Sequence, residues 1–217
     1  MSDETPASVG QRIVGGGLEL LRGRLLSEPP ALPLAPKRGD YDLNPQNRPA
    51  EKVALKPAAV LLPLILRQEA HILLTQRTHH LTRHAGQVSF PGGRADANDI
   101  SLVETALRET QEETGIDPSF VTVAGFLDAY ETGTGYAILP VVGILSEGFA
   151  LSPHAVEVAE IFEVPLAFLL DPANKKQQSR EFQGRMRSFY SFTYEGHYIW
   201  GATAAMLLNF AERISTP

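Results

Sequence analysis

An α/β fold, a sheet covered by helices, is the class this sequence predicts. Three observations carry that expectation. Ala58–Leu66 is apolar at almost every position, as a strand buried on both faces must be. Residues 101–114 repeat their apolar positions at helical spacing. Strand-like and helix-like segments then alternate to the end of the chain, which places helices against a sheet.

The elements follow in order. Residues 9–26 form a weakly amphipathic helix, with Ile13, Leu18, Leu21 and Leu25 on related faces. Residues 28–56 carry Pro29, Pro30, Pro33, Pro36, Pro45 and Pro49, the composition of an extended wrapping arm. The chain therefore divides into a helix and proline-rich arm, 1–55, and a main domain, 56–217. In that domain Ala58–Leu66, His71–Thr75 and Gln87–Phe90 read as strands, the last running into Pro91-Gly92-Gly93. Val121–Ala129 and Ala137–Leu145 are two more strands, and Ala159–Val164 leads into a short helix at Pro165–Leu170. Ser188–Tyr194 and His197–Trp200 form a hairpin across Glu195-Gly196, and Thr203–Arg213 closes the chain as a helix.

The helix at 101–114 carries the chemistry. Val103, Ala106, Leu107, Thr110 and Thr114 are its expected buried stripe. At 100° per residue, Glu112, Glu109 and Glu113 fall at roughly 180°, 240° and 280° from Val103, one arc beside that stripe. Arg108 lies one turn before Glu112, where it can pair with a carboxylate and hold it. Gly115 ends the helix. Clustered carboxylates repel unless a cation binds among them, and hard oxygen donors suit Mg2+ or Mn2+. A divalent cation that holds a diphosphate would serve hydrolysis of a phosphoanhydride.

Residues 93–116 resemble the Nudix box, G-x5-E-x7-R-E-U-x-E-E-x-G-U with U apolar. Arg108, Glu109, Glu112, Glu113, Gly115 and Ile116 match it position by position. The chain departs in three places: one extra residue separates Gly93 from Arg108, Asp99 or Asp96 stands near the missing early Glu, and Thr110 replaces an aliphatic residue. An overlapping stretch resembles the signature of the coenzyme A diphosphatase branch of that family, L-L-T-x-R-(S/A)-x3-R-x3-G-x3-F-P-G-G. Leu73, Leu74, Thr75, Arg77, Gly86, Phe90, Pro91, Gly92 and Gly93 match; Thr78 and Thr82 do not, although Arg83 adjoins the second.

The resemblance implies the Nudix α/β/α sandwich with a mixed sheet. It implies Glu109, Glu112 and Glu113 as ligands of Mg2+ or Mn2+ and as catalytic residues, with Arg108 beside them. It implies cleavage of the diphosphate of coenzyme A or a derivative into adenosine 3',5'-bisphosphate and (acyl-)4'-phosphopantetheine. Some family members place the general base outside the box, and Glu157 and Glu160 are the candidates here. Arg77, Arg83, Gly92 and Gly93 are candidate substrate contacts, since guanidinium forks suit phosphate oxygens. Tyr130, Tyr136 and Phe126 could stack on adenine, but packing in the strands suits them better. Tyr198–Ala204 resembles the end of many Nudix domains, where it is chiefly structural. Other readings are a Nudix diphosphatase of ADP-ribose, dinucleotides or oxidised nucleotides, and a non-catalytic nucleotide-binding Nudix module. The complete set of box glutamates argues against the last.

Composition sets the remaining expectations. A length of 217 residues with 43% hydrophobic content suits one globular domain with extensions. No apolar run approaches the length of a membrane span, and no secretory signal pattern is present, so a cytoplasmic location is expected. The absence of cysteine removes disulfides, thiolate ligands and a cysteine nucleophile. A net charge of -6 argues against broad nucleic-acid binding but not against an anionic substrate held through metal. The expected partner is a coenzyme A-like small molecule; the arm and the exposed edge strands could also serve a homodimer.

Overall fold

The computed structural model describes residues 5–50, 54–82, 84–182 and 184–215. Helix α1 (Pro6–Arg22) comes first, then the arm with the short strand β1 (Arg38–Gly39). Next come β2 (Lys56–Leu66), β3 (Ala70–Arg77), β4 (Val88–Ser89), β5 (Gly92–Arg94) and helix α2 (Leu102–Thr114). They are followed by β6 (Val121–Phe126), β7 (Tyr130–Glu131), β8 (Tyr136–Leu145), β9 (Val158–Pro165) and the short helix α3 (Leu166–Leu170). The chain ends with β10 (Lys176–Phe182), β11 (Arg185–Tyr194), β12 (His197–Trp200) and helix α4 (Gly201–Ser215).

Among the described residues, nine strands form one mixed sheet with β2 near its centre. β2 runs parallel to β8 along ten register pairs and antiparallel to β3 and β5 on its other edge. Flanked on both sides and covered on both faces, it is apolar and buried at every position over residues 58–65. One face, with Leu62, Leu64 and Ile72, packs on α1, α3 and α4. The other, with Ala59, Leu61 and Leu139, packs on α2 through Leu102 and Ala106. The molecule is thus an α/β sandwich of helices on both faces of a mixed sheet. β10, β11 and β12 form a second, antiparallel sheet.

Several boundaries differ from the sequence expectation. The first helix stops at Arg22 rather than at 26, because Leu26 leaves it to pair with Phe126 through two backbone hydrogen bonds. Val9, Ile13 and Leu21 of this helix are buried in the main core. The strand from Val121 stops at Phe126, where a bulge at Gly125 fits against Leu25. Strand β10 has no counterpart in the sequence reading. The stripe of α2 is also rotated: Leu102, Thr105, Ala106, Thr110, Glu113 and Thr114 are buried, while Val103 and Leu107 are half-exposed. Glu113 therefore lies within the buried face rather than beside it.

Candidate active site

The site is built where β5 meets α2. Gly93 pairs with Ala59 of β2, and a Cβ at Gly93 would overlap the carboxylate of Glu109. The missing side chain is the space that Glu109 fills. One residue earlier, the Gly92 backbone N–H donates to Glu113 Oε2 at 3.2 Å. Both glycines thus serve the helix carboxylates.

The three box glutamates differ in setting. Glu113 has a side chain only 7% exposed, whereas that of Glu112 is 61% exposed. Burial pushes the Glu113 carboxyl up to about 7; the Gly92 N–H and Arg77 oppose that shift, and the charges of Glu109 and Glu157 add to it. Glu109 is also raised, chiefly by burial and against the pull of Arg108.

Arg108 organises the helix start. Its Nε and Nη2 donate to the two oxygens of Asp99, each at 2.9 Å, and its Nη1 donates to Glu109 at 2.9 Å and to Glu112 at 3.3 Å. Asp99 also accepts from Thr105 Oγ1 at 2.8 Å. The Arg108 hydrogen bond holds the Asp99 carboxyl far below the usual carboxylate range. Asp99, in the stretch where the Nudix box has its early Glu, thus secures the helix start to Arg108. Ser101 caps the helix by accepting from the Glu104 N–H at 3.1 Å.

At the other end of α2, the loop before β9 takes over. Gly115 adopts a φ of 78°, and Ser152 packs where its Cβ would be. Ser152 N–H donates to the Thr114 carbonyl at 2.7 Å, and His154 N–H to that of Glu113 at 3.0 Å. The loop is tied on its other side by Thr78, whose N–H donates to the Glu157 carbonyl and whose Oγ1 donates to that of Val156. These ties bring Glu157 to the cluster. Arg77 stands between Glu113, at 3.5 Å, and Glu157, at 3.7 Å. A register shift between Gln76 and Arg77 re-aims the end of β3 toward them. The Nε of Arg77 is buried without a partner.

Glu160 is placed elsewhere. It shares the face of β9 that carries Phe162, away from α2, and its carboxylate meets His197 Nε2 at 3.1 Å. Arg83 lies outside the described residues. Phe126 and Tyr130 are buried, and the Tyr130 hydroxyl donates to Asp40 at 2.8 Å. The backbone donors of Ser152 and His154 left no trace in the sequence, since any residue but proline supplies an N–H.

Three carboxylates with hard oxygen donors, two of them raised by burial, have the chemistry of a Mg2+ or Mn2+ site. Among the described residues no three donors yet converge on one point; guanidinium groups stand against their oxygens instead.

The family model described as the NUDIX domain matches residues 55–185, more than half the chain. The chain belongs to the Nudix family. Two relatives, both described as uncharacterized Nudix hydrolase NudL, align over 158 residues, 73% of this chain. The one from Yersinia enterocolitica is 40% identical and covered over 81% of its length; the one from Yersinia pestis is 41% identical and covered over 79%. Among solved structures, a MutT/nudix family protein from Enterococcus faecalis superposes over 71% of this Nudix chain and 54% of its own, with a TM-score of 0.46 and 18% identity. The NUDIX domain of Shewanella oneidensis NrtR, solved with ADP ribose, superposes over 60% of this chain and 84% of its own, with a TM-score of 0.44 and 24% identity.

Proposed function

We propose that this Nudix hydrolase cleaves the diphosphate of coenzyme A or a derivative, releasing adenosine 3',5'-bisphosphate and (acyl-)4'-phosphopantetheine. The observation that carries the reading is the meeting of Arg77, Glu113 and Gly92, which joins the signature stretch Leu73–Gly93 to the acidic helix at a single site. Glu109, Glu112 and Glu113 would hold Mg2+ or Mn2+. When bound, the ion supplies charge neutralisation at the phosphate oxygens and acidifies a coordinated water.

The chain's own residues do the rest. Arg108 fixes Glu109 and Glu112 from one side, with Asp99 holding it in turn. Arg77 is placed to exchange its loose carboxylate contacts for phosphate oxygens. Water attacks one phosphorus, the anhydride P–O bond breaks, and the leaving phosphate takes the bonding pair. We assign the water's proton to Glu157, since Glu160 is engaged by His197 on the opposite face. A cytoplasmic site of action belongs to this proposal. So does a homodimer through the arm or an exposed edge strand; a monomer by sedimentation removes that part.

The test is product analysis with Mg2+ and equal concentrations of coenzyme A, ADP-ribose and 8-oxo-dGTP. The reading expects coenzyme A to be consumed first. Intact coenzyme A beside a cleaved competitor overturns it.

A further inference from the structure

The small sheet has two unlike faces. Tyr190, Phe192 and Tyr194 of β11 point into the main core toward α4. By strand alternation and register, the other face carries Lys176 and Arg180 of β10, Arg185 and Arg187 of β11, and no Asp or Glu. Glu181 lies on the core-side face. Asp40 of the arm approaches Arg187, but Lys176 and Arg180 form no ion pair among the described residues. In a chain of net charge -6, this is a local reversal of sign.

Aromatic rings stand among these cations. Phe189 and Trp200 meet edge to face, with centroids 5.2 Å apart, and Tyr198 stacks beside Trp200 at 6.4 Å. The Tyr198 hydroxyl is held by Gln178 at 2.8 Å, which fixes the ring. Two polar atoms of the same face are buried without partners: Ser191 Oγ, on a residue 1% exposed, and Arg187 Nε. Its Trp200 end lies close to the diphosphate site. β12 packs beside β4, Thr203 Oγ1 donates to the Val88 carbonyl at 3.1 Å, and β4 leads directly into Gly92-Gly93.

We propose that this face binds the nucleoside end of the substrate. The purine stacks on the Trp200–Phe189 pair, and a phosphate monoester on the ribose is held by Lys176 and Arg180. Lys176 is in register with Ser191, and Ser191 with Trp200, so cation and ring lie two strands, about 10 Å, apart. A nucleoside and its phosphate, met by a lysine side chain, span that gap. The inference rests on the coenzyme A reading and deepens it: the 3'-phosphate, absent from ADP-ribose, becomes the group that selects the substrate.

Trp200 is the single tryptophan of the chain, so its fluorescence reports on this face. The full-length protein is titrated with adenosine 3',5'-bisphosphate, with AMP and with a single-stranded RNA oligomer. The bisphosphate is expected to quench Trp200 and to bind at least 10-fold more tightly than AMP. In the K176A/R180A double variant, whose altered side chains are exposed, that preference is expected to fall to about 3-fold or less with an unchanged thermal melt. Equal affinity for bisphosphate and AMP, a preference that survives the double substitution, or tighter binding of the RNA overturns the inference. Uncleaved coenzyme A with the bisphosphate preference intact removes the diphosphatase reading alone. Cleaved coenzyme A without the preference removes this inference alone.

Discussion

Gly93 shows how a position without a side chain can shape a candidate site. Glu109 occupies the volume of its absent Cβ, so Gly93→Ala must displace a carboxylate proposed to hold metal. The expected outcome is a fall in turnover of about 10-fold or more, with metal affinity weakened in parallel by calorimetry, since small misplacements of a reacting group are costly. Glu113 supplies the complementary test. Its carboxyl is raised to about 7 in the fold against about 4.5 when unfolded, so the folded chain binds the extra proton between those values. That stabilisation is complete below about pH 4.5 and disappears as pH rises through about 7. The metal-free protein is therefore expected to lose melting temperature from about pH 5 to about pH 8, and Glu113→Gln to flatten that slope. Asp99 has the opposite sign, but its effect falls in strong acid, outside this window.

At the scale of elements, α2 is held at its start by the residues just before it and at its end by a loop remote in sequence. Asp99 and Ser101 secure its start, and the loop carrying Ser152, His154 and Glu157 secures its end. The left-handed Gly115 lets that loop approach. Gly115→Ala is expected to cost about 1 kcal/mol or more, read as a lowered urea midpoint, because both the φ of 78° and the contact with Ser152 oppose a Cβ. Glu157→Gln is expected to lower turnover by about 100-fold, while Glu160→Gln leaves it unchanged.

The same elements show what the sequence could convey. The arc of Glu109, Glu112 and Glu113 was legible because helical spacing alone fixes it. The burial of Glu113 was not, because the rotation of α2 about its axis depends on which groove of the sheet receives Leu102 and Ala106. β2 was legible because both its faces are covered. β10 was not, since Lys176–Phe182 is exposed at every position and carries no apolar alternation. The register shift that aims Arg77 leaves no mark on residue type at all.

The molecule as a whole joins two sheets of different character. The large sheet and α2 present the carboxylates proposed to hold a metal, and the small sheet presents cations and rings. The arm fastens one to the other: Asn44 donates to the Ser188 carbonyl at 2.8 Å and accepts from the Ser188 N–H at 2.7 Å, while Asp40 accepts from Tyr130 and from the Gly133 N–H. Asn44→Ala is expected to loosen this fastening, with faster hydrogen exchange confined to β11 and the arm. The central claim is that the acidic helix cleaves the diphosphate of coenzyme A. Its most direct measurement is release of adenosine 3',5'-bisphosphate by the wild type and Glu112→Gln, with melts recorded for both. The exposed position of Glu112 leaves the fold indifferent to the change. The account expects turnover to fall by about 100-fold or more at an unchanged melting temperature; full turnover by the variant would contradict it.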